Sequence, residues 1–190
     1  MTAPRLRFAS ETDVPALLSI YRHYIPTTVT FEYELPSPAE FARRVASVSE
    51  VYPYLVLEED AVLGYAYAHP IAERAAYGWG AELSIYLRPD AAGKGLGRRL
   101  YRVLIQLLRL QGVHTVYGLV ASPNPASEGL HAALGFRVMG VQRKAGYKNG
   151  RWIDLLWFER AIASYDPDPA PLIPVSGLPQ ETVRAALNSF

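Results

Sequence analysis

Glu82 sits in the otherwise apolar run Trp79-Gly80-Ala81-Glu82-Leu83-Ser84-Ile85, and the chain then reaches Gly93-Lys94-Gly95-Leu96-Gly97-Arg98-Arg99. Glycines at alternate positions let backbone N–H groups crowd into one concavity, because no Cβ blocks close approach. A helix opening at such a loop adds unpaired N–H donors and the positive end of its dipole, so a phosphate is the natural guest. A carboxylate in an apolar strand is a candidate general base, since partial burial raises its pKa toward the working range. Each feature also has an ordinary reading: a turn without a ligand, and a Glu on the solvent face of an alternating strand.

Two other glycine loops are excluded by spacing. A Walker A loop needs a Gly where Arg88 stands and a hydroxyl residue where Gly95 follows Lys94. A dinucleotide fingerprint needs G-x-G-x-x-G and an acid about 20 residues later. The spacing here is G-x-G-x-G, and no Asp or Glu occurs between Ala91 and Ser127. A second titratable candidate is His131, in Asn124-Pro125-Ala126-Ser127-Glu128-Gly129-Leu130-His131-Ala132-Ala133-Leu134-Gly135-Phe136. Imidazole serves as acid or base near neutrality, although a lone helix His also packs or caps locally. His23, His69 and His114 have no comparable context and read as structural.

The elements that must position these groups follow from periodicity. Leu6 to Ala9 reads as a strand, Val14 to Ile25 carries helical spacing, and Ser37-Pro38-Ala39-Glu40 opens a second helix. Tyr54 to Glu59 and Val62 to Ile71 form a hairpin, and Glu82 to Leu87 is the next strand. Leu96, Leu100, Val103, Leu104, Leu107 and Leu108 share one helix face that ends at Gly112. Thr115 to Ala121 is a strand, followed by a proline corner and a short helix through Leu134. Val138 to Tyr147 and Trp152 to Phe158 form a second hairpin turned at Asn149-Gly150. After Tyr165 the chain runs Asp-Pro-Asp-Pro-Ala-Pro, read as an extended arm, with a small helix at Gln180 to Asn188. The expected organisation is one domain over 1–163 and a proline-rich arm over 164–190.

Composition narrows the function classes. The 190 residues are 50% hydrophobic with a net charge of +1, enough for one packed core and unsuited to general nucleic-acid binding. Zero Cys removes disulfides, thiolate metal sites and cysteine nucleophiles, and fits a reducing cytoplasm. No apolar run reaches membrane-spanning length. A cytoplasmic protein without metal, nucleic-acid or membrane partners is expected.

The glycine loop resembles the acyl-CoA pyrophosphate site of the GNAT superfamily, whose pattern is Gln/Arg-x-x-Gly-x-Gly/Ala. Gly95 and Gly97 match, while Ala92 stands where Gln or Arg is usual. Further segments are similar to the phosphinothricin and methionine sulfoximine acetyltransferase branch: Thr30-Phe31-Glu32, Arg74-Ala75-Ala76-Tyr77, Glu82-Leu83-Ser84-Ile85-Tyr86, Leu130-His131-Ala132-Ala133-Leu134-Gly135-Phe136 and Gly146-Tyr147-Lys148-Asn149-Gly150-Arg151-Trp152. The resemblance spans Arg5 to Glu159 and implies an α/β (α+β) GNAT fold, a mixed, mostly antiparallel sheet flanked by helices with a V-shaped cofactor cleft. It implies acetyl transfer from acetyl-CoA to the amine of a small amino acid analogue, by a homodimer.

Amide formation from a thioester needs a deprotonated amine, a donor for the carbonyl oxygen and a route for the departing sulfur. The branch's catalytic pair falls on Glu82 and His131. Acetyl-CoA is expected along Ile85, Tyr86 and Leu87, the loop Gly93, Lys94, Gly95, Leu96, Gly97 and Arg98, and Asn124 with Ser127. The acceptor is expected against Phe31, Glu32, Arg74, Tyr77 and Tyr86. A different amine or protein N-terminus as acceptor, or CoA binding without catalysis, are the competing readings.

Overall fold

The computed structural model describes residues 3–190, and its elements begin where local chemistry starts them. Ser37 accepts a hydrogen bond from the Glu40 N–H, with Pro38 in the first turn, and opens a helix at Pro38–Ser49. Gly112, in the left-handed region at φ 92°, closes the helix Leu96–Gln111. In chain order the elements are β1 (Arg5–Phe8), α1 (Val14–Arg22), α2 (Pro38–Ser49), β2 (Tyr54–Glu58), β3 (Val62–Pro70), β4 (Gly80–Leu87), α3 (Leu96–Gln111), β5 (Thr115–Ser122), α4 (Pro125–Ala133), β6 (Arg137–Lys148), β7 (Arg151–Ala161) and α5 (Gln180–Asn188). The seven strands form one sheet in the order β1-β2-β3-β4-β5-β7-β6. Every neighbouring pair is antiparallel except β4 and β5.

Alternation along the strands splits the core between the two faces of the sheet. Ala81 and Leu83 of β4 and Val116 and Val120 of β5 pack with the fully buried Leu100, Leu104, Leu107 and Leu108 of α3. On the other face Tyr54 and Val56 of β2 and Tyr65 of β3 pack with Leu17 and Tyr21 of α1 and Phe41 and Val45 of α2. The chain beyond Tyr165 joins the first cluster: Leu178 and Ala186 are buried, and Leu172, Val183, Leu187 and Phe190 pack around them. The Gln111 side-chain amide donates to the carbonyls of Val51 (2.7 Å) and Ile173 (2.8 Å) and so clips this segment to the end of α3. Trp79 Nε1 donates to the Ala170 carbonyl at 2.8 Å. The segment is therefore packed, and its composition concealed this because the contacts use backbone carbonyls and a few spaced apolar residues.

The connection between α1 and α2 is held against the β6–β7 hairpin. Lys148 is buried, and its ammonium donates to the carbonyls of Thr30 and Glu32, both at 2.7 Å. Asn149 Nδ2 donates to the Pro26 carbonyl at 3.0 Å, and the Tyr33 hydroxyl donates to the Tyr147 carbonyl. The ring of Phe31 lies on Gly146, where an added Cβ would come within 2.8 Å of it.

At the opposite edge of the sheet, Arg7 donates to both carboxylate oxygens of Asp13 at 2.7 Å and to Glu58 at 2.8 Å. Asp13 is buried, and the Arg7 guanidinium holds its carboxyl down at about 2. A depressed carboxyl pKa gives stability that is present above the unfolded value and lost as pH falls through the folded one. Asp13→Asn should cost about 2 kcal/mol at pH 7. The difference from the parent should close between about pH 4 and pH 2. Urea unfolding at both pH values measures it, and a penalty that persists unchanged at pH 2 would contradict the assignment.

Candidate active site

β4 and β5 pair over only three registers: Gly80 with Thr115, Ala81 with Val116 and Glu82 with Tyr117. Beyond Glu82 the two strands stay in the sheet through their outer neighbours, β4 paired to β3 as far as Leu87 and β5 to β7 as far as Ser122. A cleft therefore opens between them, with Glu82 at the last paired position.

The free edge of β4 can be assigned from one bond. Arg88 N–H donates to the Leu63 carbonyl at 2.8 Å, which makes Gly64 and Leu87 a non-hydrogen-bonded pair. The backbone groups of Leu83, Ile85 and Leu87 accordingly point toward β5. At Leu87 both are taken by the Tyr24 hydroxyl, which donates to the carbonyl (2.6 Å) and accepts from the N–H (3.1 Å). Ile85 is left to offer a donor and an acceptor to an extended ligand, and Leu83, whose N–H completes the pairing with Tyr117, is left to offer its carbonyl. The cleft is closed by Leu119, Val120, Ala121, Asn124, Ser127 and His131, with Tyr86 and Tyr101 beside them.

The glycine loop lies at the open end. Gly93 and Gly95 are in the left-handed region at φ 76° and 77°, with nothing within 4 Å of a built Cβ, so backbone conformation alone demands glycine there. A Cβ at Gly97 would instead meet the side chains of Ile85 at 3.4 Å and Leu87 at 3.5 Å, where α3 packs closely on β4. Lys94 and Arg98 are exposed and Leu96 is buried. Arg99 is occupied, its guanidinium 4.0 Å from the centroid of the Phe190 ring. Asn124 caps α4 by accepting the Ser127 N–H at 3.2 Å.

His131 is buried over β5. Its Nδ1 lies 2.8 Å from the Ser127 carbonyl, and since a carbonyl only accepts, Nδ1 carries the proton. Nε2 is then a bare acceptor, buried without a partner among the described residues. The ring stacks on Phe158 and meets Phe136 and Tyr101 edge-on. Burial lowers its pKa, opposed by the Ser127 carbonyl, so the neutral form is favoured.

Glu82 points to the opposite face. There Tyr54, Tyr65 and Tyr67 stack in a row, Tyr86 leans on Tyr65, and Glu82 lies directly across from His69. Burial pushes the Glu82 carboxyl up, and His69 opposes that rise. These tyrosines line a cavity of about 240 Å³ closed by Glu32 and Arg44, which are paired with each other. Tyr86 borders both this cavity and the cleft between the strands. The site is therefore two chambers on opposite faces of the sheet, joined at the gap.

Of the residues expected to hold an acceptor, Glu32 and Tyr86 line this cavity, while Phe31 packs on Gly146 of the β6–β7 hairpin and is not among its lining residues. Arg74 and Tyr77 do not join them. Both are exposed on a short turn, and Tyr77 borders a separate cavity with Trp79, His114 and Tyr165. Sequence reasoning missed Arg44 and read His69 as structural. The alternation Tyr65-Ala66-Tyr67-Ala68-His69 carried the signal for His69, since it puts all three polar rings on one face.

Residues 6–157 match the family described as the acetyltransferase (GNAT) domain. The chain is 41% identical over 167 residues to a phosphinothricin N-acetyltransferase of Alcaligenes faecalis, covering 85% of this chain and 84% of that one. It is 36% identical to an L-methionine sulfoximine/L-methionine sulfone acetyltransferase of Pseudomonas paraeruginosa, covering 81% and 92%. A crystal structure of a GNAT superfamily phosphinothricin acetyltransferase from Sinorhizobium meliloti, in complex with AcCoA, superposes with a TM-score of 0.83 at 34% identity, covering 92% of this chain and 99% of that one.

A Cβ at Gly118 would fall 2.1 Å from His131 Nε2. Gly118→Ala should cost about 1–3 kcal/mol by overpacking. In the His131→Ala background the same change should cost much less. A double-mutant cycle by urea unfolding measures this coupling, and additive penalties would show that His131 does not sit on Gly118.

Proposed function

Since the chain belongs to the GNAT family of acetyltransferases, we propose that it moves the acetyl group of acetyl-CoA to the α-amino group of a small amino acid whose side chain ends in tetrahedral oxygens, such as phosphinothricin, methionine sulfoximine or methionine sulfone. The observation that carries this reading is the pair of chambers meeting at Tyr86. The thioester arm fits the cleft between β4 and β5, where Leu83 and Ile85 present backbone groups, and the acceptor fits the tyrosine-lined cavity. Gly93 to Arg98 gather backbone N–H groups for the pyrophosphate at the start of α3. Asn124 and Ser127 hold the arm at the far wall.

Glu82 takes the proton of the attacking amine, because it lies on the acceptor face with its carboxyl raised by burial. His131 forms the wall behind the thioester as a neutral imidazole. With no proton on Nε2 it is an acceptor there, and the sulfur draws its proton from elsewhere. Phe31 supplies an apolar side for a methylene stem, and Arg44 with Glu32 gives the cavity charged partners for the carboxylate and amine of an amino acid. Tyr65, whose buried hydroxyl bonds to no protein group among the described residues, offers a donor to the oxygens. Residues 1–163 form the transferase domain and 164–190 a segment appended to it. The working state is a homodimer in the cytoplasm.

Glu82→Gln should lower kcat about 10²–10⁴-fold at neutral pH with the KM for acetyl-CoA unchanged, because the carboxylate lies across the sheet from the cofactor loop. The deficit should shrink as pH rises and the amine loses its proton unaided. Steady-state kinetics across pH checks this, and a deficit in KM for acetyl-CoA alone would move Glu82 to cofactor binding.

A thiol-release assay over a panel of amino acids, oxidised amino acids and peptide N-termini tests the acceptor. Methionine sulfone and sulfoximine should outrun methionine, which lacks the tetrahedral oxygens. Faster turnover of peptide N-termini would replace the acceptor while leaving acetyl transfer intact.

A further inference from the structure

His69 and Glu82 are direct cross-strand partners, with His69 Nε2 at 3.8 Å from Glu82 Oε1. His69 Nδ1 lies 3.0 Å from the carbonyl of Pro70, which can only accept, so Nδ1 is the protonated nitrogen and the lone pair of Nε2 is turned toward Glu82. The side chains step outward, Glu82 being 20% exposed and His69 31%. His69 lines the tyrosine-walled chamber, and Glu82 lies directly across from it on β4.

Resting on Glu82 as the base, we propose that His69 relays the proton collected by Glu82 out to solvent, making the two a proton-export dyad on the acceptor face. An ammonium acceptor carries three protons on nitrogen and the acetamide product keeps one. As the C–N bond forms and the C–S bond breaks, one of the other two ends on the sulfur. The remaining proton is released, and it must leave a chamber walled by aromatic rings. Glu82 takes it from nitrogen, one bridging water carries it over the 3.8 Å separation to His69 Nε2 to give the imidazolium, and solvent then takes the same proton from Nε2, which restores the Nδ1–H tautomer. The carboxylate is then ready for the next acceptor.

The other groups facing His69 do not compete for this role. Glu32 and Arg44 are paired with each other across the chamber, and Arg44 also holds Glu40. The phenols of Tyr21, Tyr54, Tyr67 and Tyr86 are pushed upward by burial and stay neutral.

The test pairs titration with kinetics. In protein carrying 13C-labelled Glu carboxyls, His69→Gln should raise the pH at which Glu82 titrates, because the imidazolium form of His69 stabilises the carboxylate and the amide cannot carry that charge. With acetyl-CoA and the best acceptor of the panel, the same variant should lose about 10-fold in kcat, less than the roughly 10²–10⁴ of a group that contacts the reacting atoms, with the acceptor KM unchanged. Free imidazole should restore turnover saturably in His69→Gly. Glu82 titrating at one pH in both proteins, or His69→Gln matching the parent kcat at every pH, would overturn the dyad. A parent protein that turns over no acceptor would instead reject the acetyl-transfer reading, and the titration would still decide whether the pair is coupled.

Discussion

The parting of β4 and β5 after three paired registers is the constraint on which the rest depends. An interior sheet edge with free N–H and C=O groups is costly unless something answers them. The protein keeps the gap open by securing each strand on its other side, β4 to β3 and β5 to β7, and by plugging one end of it with the Tyr24 hydroxyl. What is left is a slot through the sheet, narrow enough to hold an extended arm and open to both faces. The glycine loop, the α4 cap and the tyrosine face are all placed by their distance from this slot.

The slot separates two chemical tasks. On the α3 side lie loop amides, the capped α4 and a neutral, caged imidazole. On the α1 and α2 side lie Glu82 at the slot's apex, the row of tyrosines and a connection held down by Lys148. Tyr86 is common to both chambers and marks where they join. A pocket lined by strand side chains on one face can change its lining without disturbing the backbone of the slot.

Much of this was legible in the sequence because the signals are local. Ser37-Pro38 starts α2, Gly112 ends α3, Asn149-Gly150 turns the last hairpin, and Gly95 and Gly97 announce the loop. The resemblance to the phosphinothricin branch likewise placed Glu82 and His131 at the slot. What escaped was cross-strand register. Arg44 sits on a helix that reads as a solvated charged face, and only the packing of α2 over β2 and β3 brings it to Glu32 and the tyrosines. His69 differs from His23 and His114 solely by lying opposite Glu82, a fact fixed by the length of the β3–β4 connection. Arg74, expected against the acceptor, lies on an exposed turn and does not line the tyrosine-walled cavity, because a motif match on a turn carries no information about which cavity it faces. The proline-rich segment was misleading because composition describes backbone stiffness, whereas Gln111 and Leu178 decide whether the backbone docks.

The final residue, Phe190, lies under the guanidinium of Arg99 in the first turn of α3, next to the glycine loop. Phe190 thus takes up one of the two arginines that follow the glycine loop, so a change at this aromatic ring would free a positive charge beside the first turn of α3. α5 packs against both β1 and α3, so a disturbance of this last helix would be felt on the first strand of the sheet as well as on the helix that opens at the loop.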